Sequence, residues 1–225
     1  MDGDHARNET TGKNSVDFHC GFKSTEKAVK GTWFSLAEYE KKDGIWVVCF
    51  SLSAQIGNPD YVDAGGNVLN ENETYLLYHR KFQKVIYADG ILLIKKYEKK
   101  AGSLTVWKTE EPYNPDSRLK YLVFDGENYS HGETLKEAKE SLIYKISNRD
   151  TTPYKGWIGN PNLVVGKEDA IKGYRAITGA CEAGTRAFID KLDIMPENLT
   201  IQELCDKTAG QWGHDVLVKF LKGAE

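Results

Sequence analysis

The sequence predicts an α+β protein in which an antiparallel β-meander with one packed helix precedes a C-terminal helical subdomain. Short apolar runs separated by turn residues fill residues 40–130. A strand followed directly by an amphipathic helix occupies Lys120–Ile146, and beyond Lys167 the apolar residues recur at helical spacing. We therefore expect a flexible tail over 1–16, a sheet with a helix at 134–147 over 17–150, and a helical subdomain over 151–225.

The composition is that of a folded, cytoplasmic protein. With 225 residues, 40% of them hydrophobic, the chain can bury a sizeable core. A formal charge of -3 is too mild for a DNA-mimicking acidic protein and lacks the basicity of a dedicated nucleic-acid binder. No apolar run approaches the roughly 18 residues of a membrane span, and residues 1–17 lack the apolar core of a signal peptide.

The four cysteines predict buried free thiols. They form no C-x-x-C pair and lie in or beside apolar runs, as buried thiols do. These residues are Cys20, Cys49, Cys181 and Cys205.

The first half of the chain contains one segment of ambiguous structure and one clear strand. Ser24–Glu26 could open a short helix, whereas Gly31–Phe34 is typical of extended chain. Gly44–Leu52 is a nearly continuous apolar run with β-branched and aromatic residues, which predicts a strand covered on both faces. Gly57–Glu73 is rich in Gly, Asn and Pro, so we expect a long loop or a pair of tight turns.

The meander continues to a well-specified helix. Asp89-Gly90 is a hairpin-type turn. Thr134 and Glu137 have the spacing of a capping box, which opens the helix. The predicted strands cover residues 74–79, 85–88, 91–97, 104–108 and 120–129. The apolar helix positions that fall on one face are Leu135, Ala138, Leu142, Ile143 and Ile146.

Beyond a Pro- and Gly-rich connector at 148–161, the pattern is helical. Apolar spacing predicts a long amphipathic helix from Lys167 to Leu192. Its three glycines, at 173, 179 and 184, each cost roughly 1 kcal/mol relative to Ala, so we expect close packing, a kink or a break into two helices. Thr200 and Glu203 form a second capping box for a helix that ends at Gly210, and His214 opens the last helix.

No residue pattern predicts catalysis, a metal ion or a cofactor. The histidines are scattered, and Cys181 lies on the apolar face of its helix, as a core thiol does. Ser130-His131 lies at a strand-to-helix turn but lacks the glycines of a nucleophile elbow. Gly179–Arg186 lacks the lysine and preceding strand of a phosphate loop, so helix packing through small residues is the favoured interpretation.

Cationic and aromatic residues in the connector, at Arg186 and at the start of the last helix are candidates for ligand binding. The connector combines both types on a segment that we expect to be exposed, where such residues often make contacts. The start of the last helix offers backbone donors suited to an anion. The candidate ligand-binding residues are Arg149, Tyr154, Lys155, Trp157, Arg186, Trp212 and His214.

The chain resembles the C-terminal module of uncharacterised proteins from bacteriophages and gut-bacterial mobile elements. The resemblance lies in the blocks YSHGETLKEAKESLIYKISNRD, AIKGYRAITGACEAGTRAFI and LTIQELCDKTAGQWGHDVLVKF, within residues 85–222. It implies a phage or mobile-element origin and brings no activity. Around 120–146, the piece GETLKEAKESLIYKI after a strand is similar to HicB-type antitoxins. That likeness implies a local shape only, a helix following a strand pair or meander.

The leading functional hypothesis is a non-catalytic binding protein of a phage or mobile element with an anti-defence role. Its partner would be a signalling nucleotide that it sequesters or a host defence protein that it occludes. We expect no membrane partner, and the formation of a homo-oligomer stays open. One alternative is a hydrolase acting on nucleotides or nucleic acid, with its site assembled from distant residues. Another is a structural or virion-associated interaction module.

Overall fold

A computed structural model describes residues 7–11, 15–18, 23–190 and 196–223. The first strands are β1 (Arg7–Thr10), β2 (Val16–Phe18), β3 (Thr25–Ala28), β4 (Trp33–Lys42), β5 (Ile45–Gln55), β6 (Thr74–Tyr78) and β7 (Lys81–Ala88). The later strands are β8 (Ile91–Ala101), β9 (Leu104–Glu110), β10 (Tyr121–Phe124), β11 (Tyr129–Gly132), β12 (Val164–Gly166) and β13 (Asn198–Thr200). The helices are α1 (Leu135–Ile146), α2 (Lys167–Thr178), α3 (Glu182–Asp190), α4 (Ile201–Lys207) and α5 (His214–Leu221), with a 3₁₀ helix at Thr152–Trp157.

The predicted α+β class is confirmed, with mostly antiparallel sheets followed by a helical C-terminal region. The chain divides into two compact units, the first comprising residues 1–86 and 92–95 and the second residues 87–91 and 96–225. The predicted domain boundary near residue 150 lies inside the second unit. Among the residues that the structure describes, no helix is both long and apolar enough to cross a membrane.

Two sheets build the first unit. One contains strands in the order β1-β3-β6-β7-β8, and the other has the order β2-β4-β5. The β1–β3 and β2–β4 pairs are parallel, whereas the β3–β6, β6–β7 and β4–β5 pairs are antiparallel. The core lies under β4, β5, β6 and β7 and includes the buried residues Phe34, Leu36, Ala54, Leu69, Tyr75, Leu77 and Phe82.

Pairing determines the structure of the N-terminal segments. Arg7–Thr10, which the sequence places in a flexible tail, forms β1 because β3 supplies partners for its backbone groups. Residues 1–6 and 12–14 of that tail lie outside the described residues. Thr25–Ala28 is a strand, so the short helix considered at Ser24–Glu26 is wrong. Gly57–Glu73 is the predicted loop, with isolated bridges joining Val62 to Val68 and Asp63 to Phe82.

In the second unit, a sheet with the order β8-β9-β10-β11 carries helix α1. The predicted single strand at 120–129 is two strands, β10 and β11, because the intervening Asp125-Gly126 forms a turn. A Cβ on Gly132 would lie 2.4 Å from the backbone N of Ala138, so only glycine permits this close approach of strand to helix. The core beneath α1 contains Val106, Val123, Ala138 and Leu142.

The start of α1 is confirmed, but its apolar face is narrower than predicted. The Thr134 side chain accepts a hydrogen bond from the Glu137 backbone N–H, as the capping box requires. The Glu137 carboxylate accepts from the N–H of Glu133, one residue before the cap. Ile143 and Ile146 are exposed, so assigning them to the buried face is wrong.

The helical region shows how the three glycines are accommodated. Gly179 has φ 79° and ends α2, so the predicted long helix breaks there, one of the three outcomes expected. The capping box of Thr200 and Glu203 is complete. Helix α4 ends at Lys207, before the predicted Gly210. The apolar core of this region includes Trp157, Ala170, Tyr174, Ile177, Leu199, Ile201, Leu204 and Leu217.

Gly173 lies against a buried tryptophan, and its substitution tests this packing. A Cβ at position 173 would lie 2.0 Å from Cη2 of Trp157, whose side chain is buried in the core. We expect Gly173→Ala to lower the free energy of unfolding by roughly 1–3 kcal/mol, measured by urea denaturation. Gly156→Ala is the matched control, since its Cβ would meet no atom within 4 Å. Equal stability of the two variants would contradict this packing.

Candidate functional site

Apolar side chains are exposed on the distal half of the β4–β5 hairpin. Register shifts between Glu38 and Tyr39, because Glu38 pairs with Phe50 and Tyr39 with Val48. Cys49 is thus the extra residue of a β-bulge. We call residues 39–49, from this bulge through the turn and back, the arm.

Strand alternation divides the arm's side chains between two faces. On one face, Tyr39 pairs with Val48 and Lys41 with Trp46. On the other face, Val47 pairs with Glu40 and Ile45 with Lys42. The second face continues into Phe50 and Leu52, which pack against the core, so we call it the inner face. The first face, with Tyr39, Lys41, Trp46 and Val48, is the outer face.

The prediction that this strand is covered on both faces is wrong. Ile45 is 68% exposed, Val48 is 53% exposed and Trp46 is 38% exposed. Cys49, predicted to be a buried thiol, is exposed as well. Among the described strands, β5 lies at the edge of its sheet and pairs with β4. Trp46 and Val48 lie on the same face, and neighbouring exposed apolar side chains of this kind are candidates for an interaction surface.

A buried carboxylate anchors the base of the arm. Glu38 is 9% exposed, and its two carboxylate oxygens accept hydrogen bonds from the backbone N–H groups of His79 and Arg80, each at 2.8 Å. These two residues form the turn between β6 and β7, and both have positive φ. The anchor therefore fixes β4 immediately before the bulge, where the arm begins.

A cleft with a volume of about 440 Å³ lies in the same unit. Its lining includes Tyr61, Phe82 and the exposed cationic side chains of Arg80 and Lys81. The guanidinium carbon of Arg80 lies 5.5 Å from the centre of the Phe50 ring. Asp60 and Asp63 also line the cleft, so its charge is mixed. Its aromatic and cationic side chains are the groups suited to contact a small anion that has an aromatic part.

One wall of the cleft is held by Asp63. Its carboxylate accepts hydrogen bonds from the backbone N–H groups of Gly65 at 2.8 Å and Asn67 at 3.0 Å, and it pairs with Lys84 at 3.3 Å. Burial favours a raised pKa for Asp63, but these donors and Lys84 outweigh it and lower the pKa below its ordinary value. The lowered pKa favours the ionised form of Asp63, whose hydrogen bonds to Gly65 and Asn67 stabilise the loop.

Two of the predicted ligand-binding residues, Trp157 and Arg149, contact other parts of the fold and stabilise it. Trp157 is buried in the helical core, contrary to its expected exposure, because Gly173 leaves room for its ring. Arg149 donates to backbone carbonyls at two helix ends, to Lys145 at 2.5 Å and to Ala176 at 2.8 Å. Its guanidinium thus neutralises the carboxyl ends of α1 and α2.

The remaining predicted residues do not converge on one site. Tyr154 is half-buried and packs edge-on against Trp157, whereas Lys155 is exposed. Arg186 is exposed and pairs with Glu182 one turn earlier. Lys145 Nζ lies 3.8 Å from the centre of the Trp212 ring, and His214 Nδ1 lies 3.3 Å from the Thr208 hydroxyl. Their role in ligand binding stays a prediction.

Sequence reasoning missed a buried polar cluster in the second unit. Asp89 accepts two hydrogen bonds from Lys145, at 3.0 and 3.1 Å, and its Oδ2 lies 3.9 Å from Nδ1 of His131. The same ring nitrogen lies 3.5 Å from Sγ of Cys181. These four residues come from a turn, a strand, a helix and the start of another helix. Because they are far apart in the sequence, no local pattern indicates that they lie together.

This cluster differs from a thiol-nucleophile site. In such a site, the thiol and the orienting carboxylate contact opposite nitrogens of the imidazole. Here both lie on Nδ1, and Nε2 of His131 is buried with no hydrogen-bond partner among the described residues. Burial raises the pKa of the Cys181 thiol, whereas reactive thiols have lowered values. The geometry is that of a buried polar network.

Within the described ranges, no three His, Cys, Asp or Glu side chains are grouped so that they could hold a metal ion. No family model matches the chain, and no curated protein or solved structure matches it significantly.

His131 makes stability depend on pH. Burial lowers its pKa from 6.5 to about 4, opposed by Asp89. Between these values the unfolded chain binds more protons than the folded one, so its contribution is complete above pH 6.5 and is lost as the pH falls toward 4. We expect an acid-dependent loss of roughly 3 kcal/mol in the free energy of unfolding, measured by urea denaturation across this range.

The matched variants are His131→Gln and, as a control at an exposed histidine, His79→Gln. His131→Gln should reduce the loss of stability on acidification, and His79→Gln should retain it. An unchanged pH dependence in His131→Gln would show that another group is responsible.

Proposed function

We propose that the chain is a non-catalytic binding protein and that the arm is its surface for a protein partner. The observation that carries the proposal is the exposure of Trp46 and Val48, two apolar side chains on the same outer face of the hairpin. Burial of apolar surface contributes about 25 cal/mol per Å² removed from water, so a partner that covers these side chains gains affinity. Tryptophan is one of the residues enriched among the energetic anchors of protein interfaces.

The arm's charge distribution supports an apolar partner surface. Strand β5 contains no charged residue over its eleven positions. The arm's charges lie on β4 and in the turn, at Glu40, Lys41, Lys42 and Asp43. Such a distribution, apolar in the strand and polar at the margin, is that of an interface core with its rim.

Among the partners considered, a protein suits the arm better than a nucleotide. A nucleotide requires a concave site that surrounds most of its surface, whereas a strand offers an extended surface. The anti-defence role and the phage or mobile-element origin are part of the proposal and rest on the resemblance of the three sequence blocks. Under this proposal, occlusion of a host defence protein is the activity.

A second candidate is sequestration of a nucleotide in the cleft beside Tyr61, Arg80 and Lys81. Its support is the cleft's volume of about 440 Å³ together with two exposed cations and an aromatic ring. A thermal shift with cyclic or ADP-ribose-type nucleotides, with the nucleotide recovered unchanged, would favour this candidate. Recovery of a product would favour the hydrolase instead.

Charge substitution on the arm tests the leading proposal. We expect Val48→Lys to weaken binding of a protein captured from host-cell lysate and then purified, by about tenfold or more in Kd measured by calorimetry. The reason is the cost of placing an ammonium group in an apolar contact.

Ile143→Lys is the matched control, because Ile143 is 64% exposed on α1, outside the arm. It should leave the Kd unchanged. Equal weakening by both variants, or none by Val48→Lys, would contradict a binding surface on the arm.

A further inference from the structure

Positive charge is concentrated on the β8–β9 hairpin of the second unit. Residues 96–108, which all belong to that unit, contain four lysines and one glutamate, a net charge of +3 in a chain whose total charge is -3. Every residue of β8 from Lys96 to Ala101 is exposed. The hairpin is therefore a basic surface on an otherwise acidic chain, and an anionic partner is the one that complements it.

The register of the hairpin decides which side chains share a face. A two-residue turn, Gly102-Ser103, separates the end of β8 from the start of β9. Such a turn sets Glu98 opposite Trp107, and the Trp107 indole N–H donates to the Glu98 carboxylate at 2.7 Å, in agreement with this register. Because side chains alternate between faces, Tyr97 and Lys99 lie on the face that Glu98 does not share.

Two tyrosines flank a lysine across three strands of that face. The hairpin register places Tyr97 opposite Lys108, and the β9–β10 pairing places Lys108 opposite Tyr121. Tyr97 is 60% exposed, Lys108 is exposed and Tyr121 is half-buried. Lys99 follows on the same face, one pair closer to the turn. Neither Lys99 nor Lys108 forms an ion pair with another described residue, so both ammonium groups are available to an anion.

We propose that the face formed by Tyr97, Lys99, Lys108 and Tyr121 binds single-stranded nucleic acid. Lysine ammonium groups neutralise phosphates, and the release of counterions from the nucleic acid favours binding. Aromatic rings offer stacking surfaces to bases, which a single strand leaves accessible. Adjacent strands are about 4.8 Å apart, so the two tyrosines stand about 10 Å from each other. Bases can contact the two rings while Lys108 contacts the phosphate chain between them.

The aromatic rings favour nucleic acid over an acidic protein as the partner. A patch for acidic side chains needs its cations only, whereas the exposed Tyr97 ring adds a surface on which a base can stack. This face lies in the second unit and the arm lies in the first. The inference therefore goes beyond the proposed function, and its test does not depend on the capture of a protein partner.

Fluorescence anisotropy of a labelled strand of roughly 12 nucleotides tests the proposal. RNA and DNA of the same sequence form two arms, and a DNA duplex forms the third. We expect both single strands to bind more tightly than the duplex, because paired bases cannot stack on the rings. Affinity should fall as salt is raised, since counterion release contributes to binding. The tighter of the two single strands identifies whether RNA or DNA is the better ligand.

Substitutions on the face separate the two contributions. We expect Lys108→Glu to weaken binding by about tenfold or more and to reduce its salt dependence. Tyr97→Ala should weaken binding by about fivefold or more, whereas Tyr97→Phe retains the ring and should retain the affinity. Lys172→Glu is the matched control, because it changes the total charge equally at an exposed lysine of α2. It should leave the Kd unchanged.

Three results would overturn the proposal. The first is the absence of binding to either single strand at low salt. The second is equal weakening by Lys108→Glu and Lys172→Glu, which would show a response to total charge and not to this face. The third is binding that Tyr97→Ala leaves unchanged, or that is equally tight for the duplex, which would show recognition of negative charge alone.

Discussion

The two hydrogen bonds between the Glu38 carboxylate and the β6–β7 turn fix the point at which the arm begins. Charge-assisted hydrogen bonds to an ionised acceptor are stronger than neutral ones, and Glu38 makes two, at 2.8 Å each, to His79 and Arg80. They fasten β4 to the core at the last residue before the bulge. Beyond that point β4 and β5 pair with each other through the turn, which helps to explain how an apolar strand can be ordered and exposed together.

In the second unit, the charged side chains of Lys145 and Arg149 likewise stabilise the fold through hydrogen bonds. Lys145 donates to Asp89 and to the carbonyl of Tyr129, and its ammonium lies over the Trp212 ring. Each of these contacts offsets part of the cost of removing a charge from water. Arg149 satisfies carbonyls at the ends of two helices in the same way. Cationic and aromatic residues that resemble a ligand site in sequence are therefore also suited to hold a fold together.

Local structure was predictable where neighbouring residues determine it. The Thr134 cap, the complete capping box at Thr200 and the Asp89-Gly90 turn depend on residues within a few positions of each other, and all three are observed. The break of the long helix at Gly179 follows from the tolerance of glycine for positive φ. Such features need no knowledge of the tertiary fold.

Exposure was not predictable, because it depends on which distant elements cover a residue. The apolar pattern of Ile45–Leu52 is the same for a central strand and for an uncovered hairpin. The prediction from sequence was therefore the commoner arrangement, a strand covered on both faces. Trp157 presents the opposite case, since its burial depends on the absence of a side chain at Gly173, sixteen positions away. The position of β5 at the edge of its sheet is likewise a property of the sheet order and not of the strand.

The most direct measurement of the central claim is the rate at which a maleimide labels each cysteine, followed by mass spectrometry. If the arm is exposed to water and held at its base by Glu38, the maleimide labels Cys49 much faster than the buried Cys181 in dilute solution. We expect this difference although partial desolvation and the charges of Glu38 and Glu40 raise the pKa of the Cys49 thiol. Labelling of Cys49 as slow as that of Cys181 in the dilute, folded protein would show that the arm packs against the chain, and would contradict the account.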